Sequence, residues 1–246
     1  MPDWFTYDWR FDGEPARFTV DQAFLGGAPF AHMPVLFRVS CACKEGKSSI
    51  RRLEAMRISA IESKCLKAIS PFYAGSIETN TRKVLYLYAN SIAQLEPLEK
   101  IVMPVRGLFC EVAARTENDW RTYFDLLYPD AAKFQTEENR KYIELMRKGG
   151  DGIQPARRVR LHMFFKTEPL MHLFAEKARQ VGFAVGTPEY APEHAQAYGV
   201  VVLRVSSLEK REIDDVTTQV IRLAEEFEGT LLHWDCPLVP KVNPLK

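Results

Sequence analysis

The stretch RVRLHMFFK, residues 158–166, decides the fold, because it separates into two faces. In an extended chain Val159, Leu161, Met163 and Phe165 point one way, and Arg158, Arg160, His162 and Phe164 the other. That is the pattern of a half-buried strand. Working outward, residues 168–182 place Leu170, Leu173, Phe174, Ala178 and Val181 at helical spacing, and 209–229 do the same with Ile213, Val216, Val220, Leu223, Ala224 and Phe227. Between them FAVGTPEYA (183–191) and YGVVVLRVSS (198–207) read as strands, and TLLHWDCP (230–237) as a last one. Val200 to Leu203 are apolar on both faces, which marks a central strand. Gly182 and Gly229 stand where left-handed helix caps belong. Strand, helix, strand, strand, helix, strand is the order of a ferredoxin-like plait.

The same order is spelled earlier in the chain. PVLFRVSCAC (34–43) is a strand, and the breaker-rich KEGKSS leads to a helix that Ser48 or Ser49 would cap, with Ile50, Leu53, Arg57, Ile61, Cys65 and Ala68 on its inner side. FYAGSIET and RKVLYLYAN form a hairpin about Asn80 and Thr81, followed by a short helix near 92–102 and the strand LFCEVAART. WFTYDWRF and ARFTVD add an edge hairpin, and DWRTYFDLLYPD gives a short closing helix stopped at Pro129. The expected fold is α+β: two tandem plaits with antiparallel sheets and helices on one face. The expected domains are 1–133 and 134–246, with the Gly-rich 149–155 as linker.

Composition excludes more than it identifies. The 33 basic and 32 acidic residues nearly cancel, so no global field draws the chain to nucleic acid or membrane. The opening MPDWFTYDWRFDGEP lacks the basic start and apolar run of a secretory signal, no stretch is long and apolar enough to span a bilayer, and five scattered cysteines read as reduced thiols. A cytoplasmic protein without membrane contact is expected.

RLHMFFKTEP, VGFAV, YGVVVLRVSS and LAEEFEGTLLHWDCP together resemble the regulator of ribonuclease activity B family, a ribonuclease E inhibitor family, over about residues 135–240, with His162, Gly182, Phe183, Gly229 and Trp234 carrying the match. The first half is similar to an uncharacterised bacterial domain family often fused to it, through Trp4, Tyr7 and Trp9 with DGEPARFTVD, the 72–89 hairpin and the DWRTYFDLLYPD close. The resemblance implies a cytoplasmic, non-catalytic regulator that binds an endoribonuclease. The mixed-charge TEENRKYIELMRK stands where that regulator has an acidic helix.

Searching for chemistry turns up no catalytic residue, cofactor site or metal site. Cys41 and Cys43 share a strand face but have no second pair to complete a metal site, and strand parity sets His233 and Cys236 on opposite faces, so that with His162 they make no ligand set. No nucleophile elbow or phosphate-cradling glycine loop occurs. A hydrolase or metalloenzyme therefore ranks third. Two binding surfaces remain. Arg158, Arg160, His162 and Phe164 offer a sheet face for a protein or, alternatively, for RNA. Asp214 and Asp215, with Glu225, Glu226 and Glu228, offer an acidic helix side, and Trp234 an aromatic anchor.

Overall fold

The structure is a computed structural model that describes residues 1–44, 48–103 and 105–241. It divides into two units, Met1–Pro129 and Asp130–Lys246. Residues 149–155 lie inside the second unit, so the Gly-rich stretch is not a linker. Asp151 is fixed there by a buried ion pair with Arg157 and by a bridge to Pro240.

The first unit opens with a hairpin of β1 (Trp4–Phe11) and β2 (Glu14–Asp21), followed by β3 (Val35–Cys43) and α1 (Arg52–Ile69). β4 (Phe72–Thr79), β5 (Arg82–Ala89), α2 (Leu95–Val102) and β6 (Leu108–Thr116) complete it. All neighbours in the sheet order β1-β2-β4-β5-β3-β6 are antiparallel, so β3 to β6 form a plait and the hairpin extends its edge. β5 shows why the sheet is so well defined, since both of its faces are apolar and both are buried. Leu85, Leu87 and Ala89 join Phe37, Val39, Ile58, Ile61, Cys65 and Leu98 under the helices. Val84, Tyr86 and Tyr88 join Tyr7, Phe18, Trp120, Tyr123 and Leu127 on the other side. There a π-helical turn, Thr122–Leu127, lies over the sheet, and the Trp120 ring stacks on Tyr88 at 3.8 Å. The two helices lie on one face of the sheet, as expected, and aromatic side chains close the second face.

In α1 the buried stripe is Glu54, Ile58, Ile61, Cys65 and Ile69, turned from the expected one, and Leu53 is exposed. The serines do not cap it. The helix starts at Arg52, and the Arg51 N–H donates to Glu54 Oε2 at 2.9 Å. Glu54 is thus held inward as a cap, which fixes the helix rotation. Of the KEGKSS segment, residues 45–47 lie outside the described residues.

The second unit begins with α3 (Ala131–Lys148), then β7 (Arg157–Phe165), α4 (Glu168–Gln180), β8 (Ala184–Tyr190), β9 (Tyr198–Ser206), α5 (Lys210–Glu225) and β10 (Thr230–Asp235). The order β10-β7-β9-β8, antiparallel throughout, is that of a plait. β9 is central, as its double apolarity requires. Val159, Leu161, Met163 and Phe165 are buried with Met171, Phe174, Ala175 and Ala178 of α4 and Ile213, Val216, Val220 and Ala224 of α5. The α4 stripe is again one position off expectation, with Leu173 exposed and Met171 buried. At the end of α5 the left-handed residue is Glu228, φ 53°, rather than Gly229. Gly229 is needed for space, because a Cβ there would meet the Phe165 ring at 2.1 Å.

Candidate functional site

β7 presents Arg158, Arg160, His162 and Phe164 on the face away from α4 and α5, and pairing carries that face onto β9 through Val205, Leu203, Val201 and Gly199. Arg158 and Arg160 are exposed, His162 is half-buried, and Val205 is 66% exposed. A polar strand thus lies beside an apolar one. Phe164 does not contribute a free ring: it is 6% exposed and His194 lies against it, ring centroids 4.8 Å apart.

β10 supplies the other half through an irregularity. Leu231 pairs with Met163, but His233, two residues on, pairs with His162, so Leu232 is an extra residue in the strand. This bulge brings His233 and Asp235 to the β7 polar face and sends Trp234 to the opposite one. The His162 and His233 rings stack at 4.1 Å, nearly parallel at 15°. Asp235 reaches both neighbouring β7 side chains, with Arg160 Nε donating to Oδ1 at 2.6 Å and His162 Nε2 at 2.7 Å from Oδ2. Burial alone would raise the Asp235 carboxyl, but the His162 and Arg160 hydrogen bonds outweigh it and hold the group below its ordinary range. His233 is lowered from the usual imidazole value, first by burial and then by the neighbouring His162, against the pull of Asp235. The donor atoms of His162, His233 and Asp235 all lie within 4.8 Å of one another, so these three, among the described residues, are placed to hold a metal ion. Parity counted along an uninterrupted strand misses this set. The signal available in the sequence was His233-Trp234-Asp235 opposite His162, with two consecutive leucines before it to absorb a bulge.

The other expected contacts fare differently. Cys236 lies beyond the strand, its thiol pushed up mainly by burial. Trp234 is core, 5% exposed, its Nε1 donating to Asn139 Oδ1 at 2.7 Å. That removes it from the contact residues. Asp214 turns toward α3, accepting from Asn139 Nδ2 at 2.8 Å and Lys210 Nζ at 2.7 Å, and burial raises its carboxyl. Asp215 is exposed, but Glu225 pairs with Arg222 and Glu228 with Lys166, so the acidic side of α5 is largely neutralised. In the first unit Cys41 lies opposite Cys110 in the sheet rather than acting with Cys43. Its thiol is buried and pushed far up, above all by its hydrogen bond with Cys110, which leaves it protonated.

The fold and this surface define the class: a tandem-plait α+β protein, closed on both sheet faces in its first unit and with a partly polar, solvent-facing sheet in its second. The chain belongs to the family of unknown function (DUF695), which matches residues 2–128, and residues 136–236 match the family Regulator of ribonuclease activity B. Among solved structures, the crystal structure of an unknown protein from Galdieria sulphuraria is similar at 14% identity, over 83% of this chain and 98% of that chain, with a TM-score of 0.22. No curated protein matches the chain.

Proposed function

We propose that this protein is a non-catalytic cytoplasmic regulator that binds an RNA-processing enzyme, an endoribonuclease, through the solvent-facing sheet of its second unit. The observation that carries this is the match of residues 136–236 to Regulator of ribonuclease activity B. The surface supports it physically. Val201, Leu203 and Val205 form an apolar row flanked by the Arg158, Arg160 and His162 row, the arrangement of a protein interface with an apolar centre and a polar rim. Phe164 is covered and Arg160 is engaged by Asp235, so the ring that would stack on bases and one of the two arginines that would grip phosphate are committed inside the unit, which favours a protein partner over RNA. Among the described residues no helix is long and apolar enough to cross a membrane.

The test is a tagged pull-down from native extract with and without nuclease treatment, repeated with Val205→Asp. Recovery of an endoribonuclease that resists nuclease treatment and is lost in Val205→Asp supports the proposal. Loss of every partner on nuclease treatment would replace it with RNA binding through Arg158 and Arg160.

A further inference from the structure

The geometry points to a divalent transition-metal site formed by His162, His233 and Asp235 on the solvent-facing sheet, a site that does not depend on the partner proposed above. Its three donors come from two neighbouring strands. Cross-strand pairing puts His233 opposite His162, the alternation of β10 puts Asp235 on the same face two residues later, and the bulge at Leu232 holds both in place. The ligand positions are therefore set by sheet hydrogen bonding rather than by a loop.

The spacing suits one ion. Zinc-class ions take imidazole nitrogen and carboxylate oxygen at about 2.0–2.2 Å, which places adjacent ligand atoms about 3–4 Å apart. His162 Nε2 and Asp235 Oδ2 stand at 2.7 Å and the whole set within 4.8 Å, so an ion enters by a few tenths of an ångström of widening on one side and a rotation of His233 on the other. His233 is exposed, and the contact its ring exchanges on turning is the stacking on His162.

Asp235 is already held for this role. Arg160 fastens Oδ1, so the carboxylate keeps its orientation when Oδ2 exchanges the His162 contact for a metal. Two imidazoles with one carboxylate select zinc, cobalt, nickel or copper, whereas magnesium and calcium need a fuller set of oxygen donors. Three protein ligands leave at least one coordination position facing solvent, where water or a donor from another molecule completes the shell. The guanidinium of Arg160 offsets the charge of Asp235, so the site is expected to bind in the micromolar range and not as a structural centre on which folding depends.

The experiment uses the full chain without a polyhistidine tag, stripped with chelator and titrated with Co2+ by visible absorption and with Zn2+ by calorimetry. One ion per chain, a cobalt spectrum without thiolate charge transfer, and at least about a tenfold loss of affinity in both His233→Ala and Asp235→Asn are expected. Cys236→Ser and His172→Ala should bind as the parent does. His233 is on the surface, and matching circular dichroism of the variants separates loss of a ligand from loss of fold. No binding tighter than about 10 μM, undiminished binding in the His233→Ala, Asp235→Asn double variant, or a thiolate band each overturns the assignment.

Discussion

Glu117 shows how a single residue sets the behaviour of its unit. It sits just past β6, 7% exposed, and receives Tyr88 Oη at 2.5 Å and the Thr122 N–H at 2.7 Å on one oxygen, with Thr122 Oγ1 at 2.9 Å and Arg115 on the other. Burial would raise its carboxyl, but these donors outweigh that and hold it below the usual carboxylate range. A group depressed in the folded state contributes stability that is present above its unfolded pKa and lost as pH falls through the folded one. Resistance of the protein to urea unfolding is therefore expected to fall on acidification below about pH 4.5, and Glu117→Gln should flatten that slope while lowering stability at pH 7 by about 2 kcal/mol. An unchanged slope in the variant would assign the acid sensitivity to other carboxylates. Asp151 and Arg157 make the corresponding pair in the second unit, their side chains 1% and 4% exposed, with Arg157 Nη1 at 2.8 and 2.9 Å from the two oxygens and Val239 N donating to Oδ2 at 2.8 Å. Asp151→Ala strands a buried guanidinium and should cost about 3–5 kcal/mol in thermal or denaturant unfolding. Neither role was legible in the sequence. Glu117 follows a strand as any surface acid might, and Asp151 sits among glycines that read as a linker, because the partners that bury them are distant in the chain.

At the scale of elements, apolar spacing told what each segment is but not how it is turned. β3, β4, β6 and β9 lie where their residues place them, since alternation and β-branched runs specify strands directly. α1 and α4 are helices as expected, yet rotated: the charged Glu54 is buried beside an exposed Leu53, and Met171 is buried while the equally apolar Leu173 is exposed. Rotation was settled by a polar contact in α1 and by close packing in α4. β10 shows the same limit: a one-residue bulge reverses parity, so the pairing of His233 with Asp235 against His162 needed the register itself. α3 depends on a polar anchor too. Asn139 is fully buried, accepts from Trp234 Nε1 and Gln135 Nε2, and donates to Asp214 and to Thr217 Oγ1 at 2.9 Å, joining α3 to α5 and β10. Asn139→Ala leaves the indole N–H and Asp214 without those partners and is expected to cost about 2 kcal/mol. Native-state hydrogen exchange should show the loss first in the amides of residues 131–148, and uniform loss across β7 and β9 instead would mean that the anchor holds the whole unit.

For the whole molecule, the two plaits share a topology and differ in what covers the second face of the sheet. In the first unit Trp120, Tyr123 and Leu127 fill it with a second core, so both faces are spent on stability. In the second, Val201, Leu203 and Val205 stand beside Arg158, Arg160 and His162, and Val205 remains 66% exposed. An apolar row left to solvent within a polar border lowers solubility unless something uses it, so function is expected where coverage is missing. Each unit also encloses its own buried side chains, which makes separate folding the natural expectation. Residues 1–129 and 130–246, expressed apart, should each give a cooperative thermal transition and native near-ultraviolet dichroism. The second fragment alone should retain the partner captured by the full chain and lose it on Val205→Asp, with its melting temperature changed little, because a surface valine contributes little to stability. If the first fragment captured the partner instead, the binding surface would lie on the unit whose sheet is closed, and recognition would have to run through its loops and helices and not through a sheet face.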